Sequence, residues 1–205
     1  ANTGDLAIQS VDAGTGDLSL TSTAGSITDS DTSSDASANL IAAQITLESA
    51  NGIGASGSGD LDTTASTLIS SVTGYGNIFI TDSAAVSVGA TSTGSGDITI
   101  GTSDGILTVS GTVNSSSGNL ALTGDDGVTH TATGDLSTGG SGTVSVVASA
   151  GDVTMVDGTT YTAAGGTVSV TGASNVALGQ IVNASGASNV TATAGSITDV
   201  TSAEG

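Results

Sequence analysis

Eight short stretches of this chain share one pattern: GDLAI (4–8), GDLSL (16–20), GNIFI (76–80), GDITI (96–100), GNLAL (118–122), GTVSV (142–146), GDVTM (151–155) and GTVSV (166–170). Each is a glycine, a small polar residue, then apolar–small–apolar. Alternation with period two specifies a strand with its apolar residues on one face. The leading glycine offers a positive φ at no steric cost, and an Asp or Asn after it can hydrogen-bond backbone two residues on. Each unit is therefore expected to be a corner followed by a strand, with no room for helices between.

The units are also phased. One row of apolar residues runs Ile78, Ile98, Leu120, Val144, Val168, Val190, in steps of 20, 22, 24, 24 and 22. A second follows it: Val86, Leu107, Val128, Val153, Val176, Ile197. A third holds Val113, Leu136, Tyr161 and Ile181. Three short strands per coil, about nine coils of about 22 residues, is the pattern of a solenoid. In an all-β parallel β-helix each strand pairs with its equivalent one coil away, so similar residues must recur at similar phases; a β-sandwich or barrel has no such need. Pro is absent, which suits strands bonded on both edges. At ~4.8 Å per coil the rod would be roughly 40–45 Å long.

The phasing is ragged before Ile78. Residues 29–39 read as a polar loop inserted between strands, and 49–60 as another soft stretch. The chain is read as one continuous segment, 1–205. Thr21–Asp29 (TSTAGSITD) and Thr191–Asp199 (TATAGSITD) match at eight of nine positions, 170 residues apart. Either two coils share one corner solution, or residues 171–205 begin a second copy of a module whose first copy starts with 1–35.

Composition narrows the function. There is no Lys and no Arg against 19 acidic residues. Nothing can neutralise nucleic-acid phosphates, and anionic membrane surfaces are disfavoured. No apolar run approaches the ~20 residues of a membrane-spanning helix. No Cys is present, so there is no disulfide or thiol chemistry.

The GDLxL, GNLAL and AGSITD units resemble the haemagglutination-activity repeats of filamentous haemagglutinin-like exoproteins and other giant bacterial surface proteins. The resemblance covers most of the chain as a pattern. It implies a right-handed parallel β-helix, export to the cell exterior, and a stalk, adhesive or filament-forming role, with a host or cell-surface glycan as partner in the adhesive case. The lack of Lys and Arg departs from that family.

Candidate chemistry is sparse. Asp29, Asp31 and Asp35 fall in one loop, DSDTSSD, where alternating oxygen ligands suit a hard cation such as Ca²⁺. Ser34 and Leu40 break the EF-hand pattern. Asp60 with Asp62, and Asp125 with Asp126, are further oxygen pairs; each set reads equally as solvated turns. A glycosidase could use paired carboxylates, but aromatics are 1 % of the chain. β-Helical lyases rely on basic groups, which are missing. His130 reads as a surface or ladder residue, and no catalytic group is assigned. Thr-x-Thr pairs hint at ice binding, yet they do not recur once per coil along one row. Asn114, Asn183 and Asn189 stand in glycosylation sequons. The expectation is an extracellular structural rod, filament or sheath that associates with itself end to end, with lateral association as a further option, or the stalk of an adhesin.

Overall fold

The computed structural model describes residues 3–30 and 37–200. Among them every regular element is a strand, and every pairing is parallel. The chain winds through a parallel β-solenoid of about nine turns, with coils about 22 residues apart.

Three faces run along it. The first stacks Leu6–Ile8, Ser26–Asp29, Gly52–Ile53, Ile78–Asp82 and Ile98–Thr102, then continues through Leu120–Gly124, Val144–Ala148 and Val168–Gly172 to Ser188–Ala192. The second stacks Val86, Leu107, Val128, Val153, Val176 and Ile197 as one inward row. The third carries Thr91, Val113, Leu136, Tyr161 and Ile181. The last two rows are those expected from the sequence. The first row differs at its end: Val168 pairs with Ser188, and Val190 pairs with Val170. Both candidate residues lie on the same side of the strand, so period two alone could not separate them.

Second and third faces merge in the coils from Leu40 to Thr93, the last of them as the strand Val86–Thr93. Leu40–Ser49 and Leu61–Val72 are single strands of 10 and 12 residues, stacked in register from Leu40 on Thr63 to Ser49 on Val72. The core is a column mostly of Ile, Leu and Val, with Tyr161 as its one phenol ring.

The leading glycines have a different cause from the one expected. Of the glycines in the eight units, none has a positive φ. Six of them, Gly76, Gly96, Gly118, Gly142, Gly151 and Gly166, are required by the approach of the neighbouring coil. A Cβ on Gly96, Gly118 or Gly166 would lie 2.0 Å from the carbonyl oxygen of the corresponding glycine one coil earlier. The row at this corner runs Gly4, Gly25, Asn51, Gly76, Gly96, Gly118, Gly142, Gly166, Gly186, with one non-glycine member.

The polar residue after the glycine also bonds differently. It reaches the next coil, not its own turn. Asn77 accepts from the amide of Asp97, Asp97 from that of Asn119, and Asn119 from that of Thr143, at 2.8, 2.8 and 3.0 Å. A second ladder lies just inside the corner. The hydroxyls of Ser49, Thr93 and Ser115 donate to the carbonyls of Gly25, Gly76 and Gly96, at 3.1, 2.6 and 2.8 Å. The first ladder satisfies backbone amides and the second satisfies backbone carbonyls that the corner withdraws from the sheet, as burial demands.

Candidate functional site

The carboxylates singled out from the sequence fall into three groups. Asp31 and Asp35 lie outside the described residues. Asp29, Asp60 and Asp62 belong to the coil architecture. Asp29 is buried and accepts from Asn39 Nδ2 at 2.9 Å. Asn39 Oδ1 accepts from the Asp62 amide at 2.9 Å, so one asparagine ties Asp29 to the coil above. Asp60 accepts from Thr81 Oγ1. Asn39 carried no sequence signal beyond its place at the end of the polar loop.

Asp125 and Asp126 are joined by Asp104, which sequence reasoning missed. Each offers one carboxylate oxygen, and these lie within 4.8 Å of one another. Among the described residues this is the only such group. The second corner brings them together: Asp104 precedes Gly105 in one coil, and the Asp126 amide donates to the Gly105 carbonyl at 3.0 Å from the next. Stacking of coils thus puts like charges side by side on an exposed edge. Three such oxygens are a ligand type that suits hard cations, and they equally suit water.

Two buried titratable groups do structural work. Asp82 is fully buried and accepts from Thr63 Oγ1, the Ala65 amide and the Ala84 amide at 2.6, 3.0 and 3.0 Å. Burial pushes its pKa up, with the three bonds opposing. His130 is inward, 3 % exposed, with Val109 as its neighbour in the coil before. Its Nδ1 lies 2.7 Å from the Gly134 carbonyl and its Nε2 lies 2.6 Å from the hydroxyl of the fully buried Tyr161. A carbonyl only accepts, so Nδ1 carries the proton and Nε2 accepts from the phenol. Burial lowers the imidazole pKa to about 4, against the smaller upward pull of the Gly134 bond and the Asp135 charge. His130 is a ladder residue, committed to the core and paired with Tyr161.

Many outward positions are small. One outward row of the second face reads Ser87, Thr108, Thr129, Thr154, Ala177, Thr198. Single Thr residues therefore recur by coil, with a break at Ala177, but this row is one residue wide and is not a row of Thr-x-Thr pairs. Tyr75 is 83 % exposed at the first corner. The remaining conspicuous feature is the C-terminal end, where an open groove of about 420 Å³ is lined by Leu178, Ile181, Ile197 and neighbours.

Comparison with protein-family models, with curated proteins and with solved structures returns no match.

Proposed function

We propose that the chain is an extracellular structural protein: a length of stiff rod in a filament, sheath or surface stalk. One observation carries this reading. The buried polar side chains are spent on joining one coil to the next, and no buried side-chain nitrogen or oxygen among the described residues lacks a partner. The Asn77–Asp97–Asn119 ladder, the Ser49–Thr93–Ser115 hydroxyls and the His130–Tyr161 pair all serve cohesion along the axis. A body so built resists bending and pulling, because each coil contributes backbone ladders on three faces together with a slice of one aliphatic column.

The stalk of an adhesin is the same rod with a receptor-binding domain elsewhere in its gene. Lateral bundling would bring carboxylate edges within a Debye length of ~8 Å, so it should require cations, Ca²⁺ foremost. Small-angle scattering and single-molecule pulling test the reading. A rigid particle some 43 Å long at the coil spacing, yielding coil by coil at high force, is the expected result. A flexible or compact particle would sink it. Bundling unchanged by chelator would remove the cation requirement alone.

A further inference from the structure

We propose that Asn114 and Asn189 are glycan acceptor sites and that Asn183, in a sequon of the same form, is not. Each acceptor carries a sugar through an N-glycosidic bond at Nδ2, taken from a sugar-phosphate donor by a transferase of the export route. This rests on the extracellular reading of the rod and deepens it by naming a modification and its places.

The first observation is what asparagine does elsewhere in the chain. Asn77, Asn119 and Asn175 accept through Oδ1 from amides of the next coil, at 2.8, 3.0 and 3.0 Å. Asn39 and Asn51 donate through Nδ2 to carbonyls of the coil before, those of Gln9 and Ala24. Asn183 has both ends engaged: Oδ1 accepts from the Gly186 amide and Nδ2 donates to the Ala187 carbonyl, each at 2.9 Å. It pairs with Ala163 in the row of Thr138, and it serves the Gly186 amide as the Ser115 hydroxyl serves that of Gly118. Among the described asparagines, Asn114 and Asn189 alone make no side-chain hydrogen bond to a described residue.

The second observation is where these two point. Asn114 lies between the buried Val113 and Ser115, so it faces outward on the third face. Ser92 and Ser137 stand beside it in the neighbouring coils, and such small neighbours leave room for a bulky group. Asn189 pairs with Ser169, which lies between the buried Val168 and Val170, so it faces outward on the first face. Asparagine is a poor strand former, and neither residue contributes a side-chain bond to the coil stack. In each, period two brings the sequon hydroxyl to the acceptor's own side. Ser116, two residues after Asn114, is exposed, and Thr191 shares the outward side of its strand with Asn189.

The third is the coincidence of sequence and structure. A chain rich in Ser and Thr produces Asn-x-Ser/Thr by chance, but chance does not sort the pattern by role. Both asparagines without a structural bond stand in it, and of those with one, Asn183 alone does. Transfer to Nδ2 forms a bond to the sugar's anomeric carbon. It breaks that carbon's bond to the donor phosphate, which leaves with the electron pair, and one amide proton passes to the transferase. At Asn114 or Asn189 no bond of the fold is disturbed. At Asn183 a bulky group would sit on the nitrogen that holds the Ala187 carbonyl. Sugars are bulky and solubilising, so these would keep neighbouring rods apart on the first and third faces.

The test is mass spectrometry of the protein from its own source, cut at aspartate because the chain offers trypsin no site, with electron-transfer fragmentation to assign each sugar to a residue. Asn114 and Asn189 should each carry the mass of at least one sugar, and Asn183 none. Either acceptor found bare, or a sugar on Asn183, overturns the proposal. A second arm uses unglycosylated chain from a host without such transferases. Asn114→Ala and Asn189→Ala should melt as the parent does, and Asn183→Ala should melt several degrees lower. A lowered melting temperature in either of the first two, or an unchanged one in the third, overturns the sorting by role and the proposal with it. Bare asparagines on a particle that scatters as a stiff rod remove the sugars and leave the rod; sugars on a compact particle remove the rod and leave the acceptor sites.

Discussion

His130 is the only imidazole in the chain, which makes its titration readable without assignment. Between the two core groups it touches, its protonation state is fixed: Nδ1–H to Gly134, Nε2 accepting from Tyr161. Adding a proton to Nε2 turns an acceptor into a donor facing a hydroxyl whose own hydrogen then has no acceptor. In the unfolded chain the same ring titrates near 6.5; in the folded chain it titrates at about 4. The unfolded state therefore binds more protons between these values, and stability falls as pH falls through that window. The contribution is complete above about pH 6.5 and is lost as pH drops toward about 4, below which nothing further is lost. The gap of 2.5 units between 6.5 and about 4 amounts to about 3 kcal/mol in full, and about 2 kcal/mol is gone by about pH 5.

Two other effects run the opposite way. Asp82, with its raised pKa, adds stability as pH falls, and neutralising 19 acidic residues relieves repulsion. A plain acid melt of the parent would mix the three. The informative quantity is the difference between the parent and His130→Gln, which keeps a donor for Gly134 and an acceptor for Tyr161 but does not titrate. Urea unfolding at pH 8 and pH 5 should show the parent losing about 2 kcal/mol more than the variant. In parallel, ¹⁵N NMR of the imidazole should report a protonated Nδ1 and a midpoint close to 4. An imidazole that titrates near 6.5, or equal pH dependence in both proteins, would refute the buried-pair argument.

Gly118→Ala should cost about 3 kcal/mol in chemical unfolding, because its Cβ lies against the Gly96 backbone with nothing flexible to yield; Gly4→Ala, at the same place in the motif, should cost less than about 0.5 kcal/mol. Ser115→Ala strands the Gly96 carbonyl and the Gly118 amide and should cost about 1–3 kcal/mol by the same measurement. Ala163 occupies the row of Thr138 without a hydroxyl, so Ala163→Ser should stabilise by about 0.5–1 kcal/mol through a new bond to the Gly142 carbonyl. Asp126→Asn should raise the melting temperature at low salt by relieving Asp104 and Asp125, with the gain shrinking as salt screens them; saturating Ca²⁺ should reverse the sign if the three carboxylates hold it.

Much of the fold is legible in the sequence because each coil must satisfy its neighbours at fixed phase. Val113, Leu136, Tyr161 and Ile181 are readable as a row for that reason alone. Even two buried polar residues were there to be read: Ile78, Ile80 and Asp82 alternate inward, as do Val128 and His130. What alternation cannot supply is the partner. Thr63 meets Asp82 from a sequence distance of 19, set by the long strand Leu61–Val72, and Tyr161 meets His130 from a distance of 31, one coil and one face further on. Asp104 joins Asp125 and Asp126 for a similar reason, since its neighbours exist only once coils are stacked. The glycines misled more subtly. Gly-then-Asp or Asn is a turn signal in an isolated segment, whereas here the same two residues work across coils, one by lacking a Cβ and the other by accepting the next coil's amide.

That distinction decides how the repeated nonapeptide should be understood. Thr21–Asp29 turns from the third face to the first, since Thr21 stacks on Glu48 and Ile27 on Ile53. Thr191–Asp199 turns from the first face to the second, since Thr191 stacks on Thr171 and Ile197 on Val176. The same words therefore serve two different corners of the cross-section. A module of 170 residues would advance seven coils and one further face: Leu6, on the first face of the first coil, maps to Val176, on the second face of the eighth. Such a module returns rotated, and three of them restore the starting face. A longer chain built from this module should thus place its recurring features on a slow screw around the rod. A repeat that reflects only a shared corner would leave no such screw. The spacing of nonapeptide copies in the full gene distinguishes the two: constant intervals of 170 residues require the screw, and scattered intervals leave the corner as the only unit that recurs.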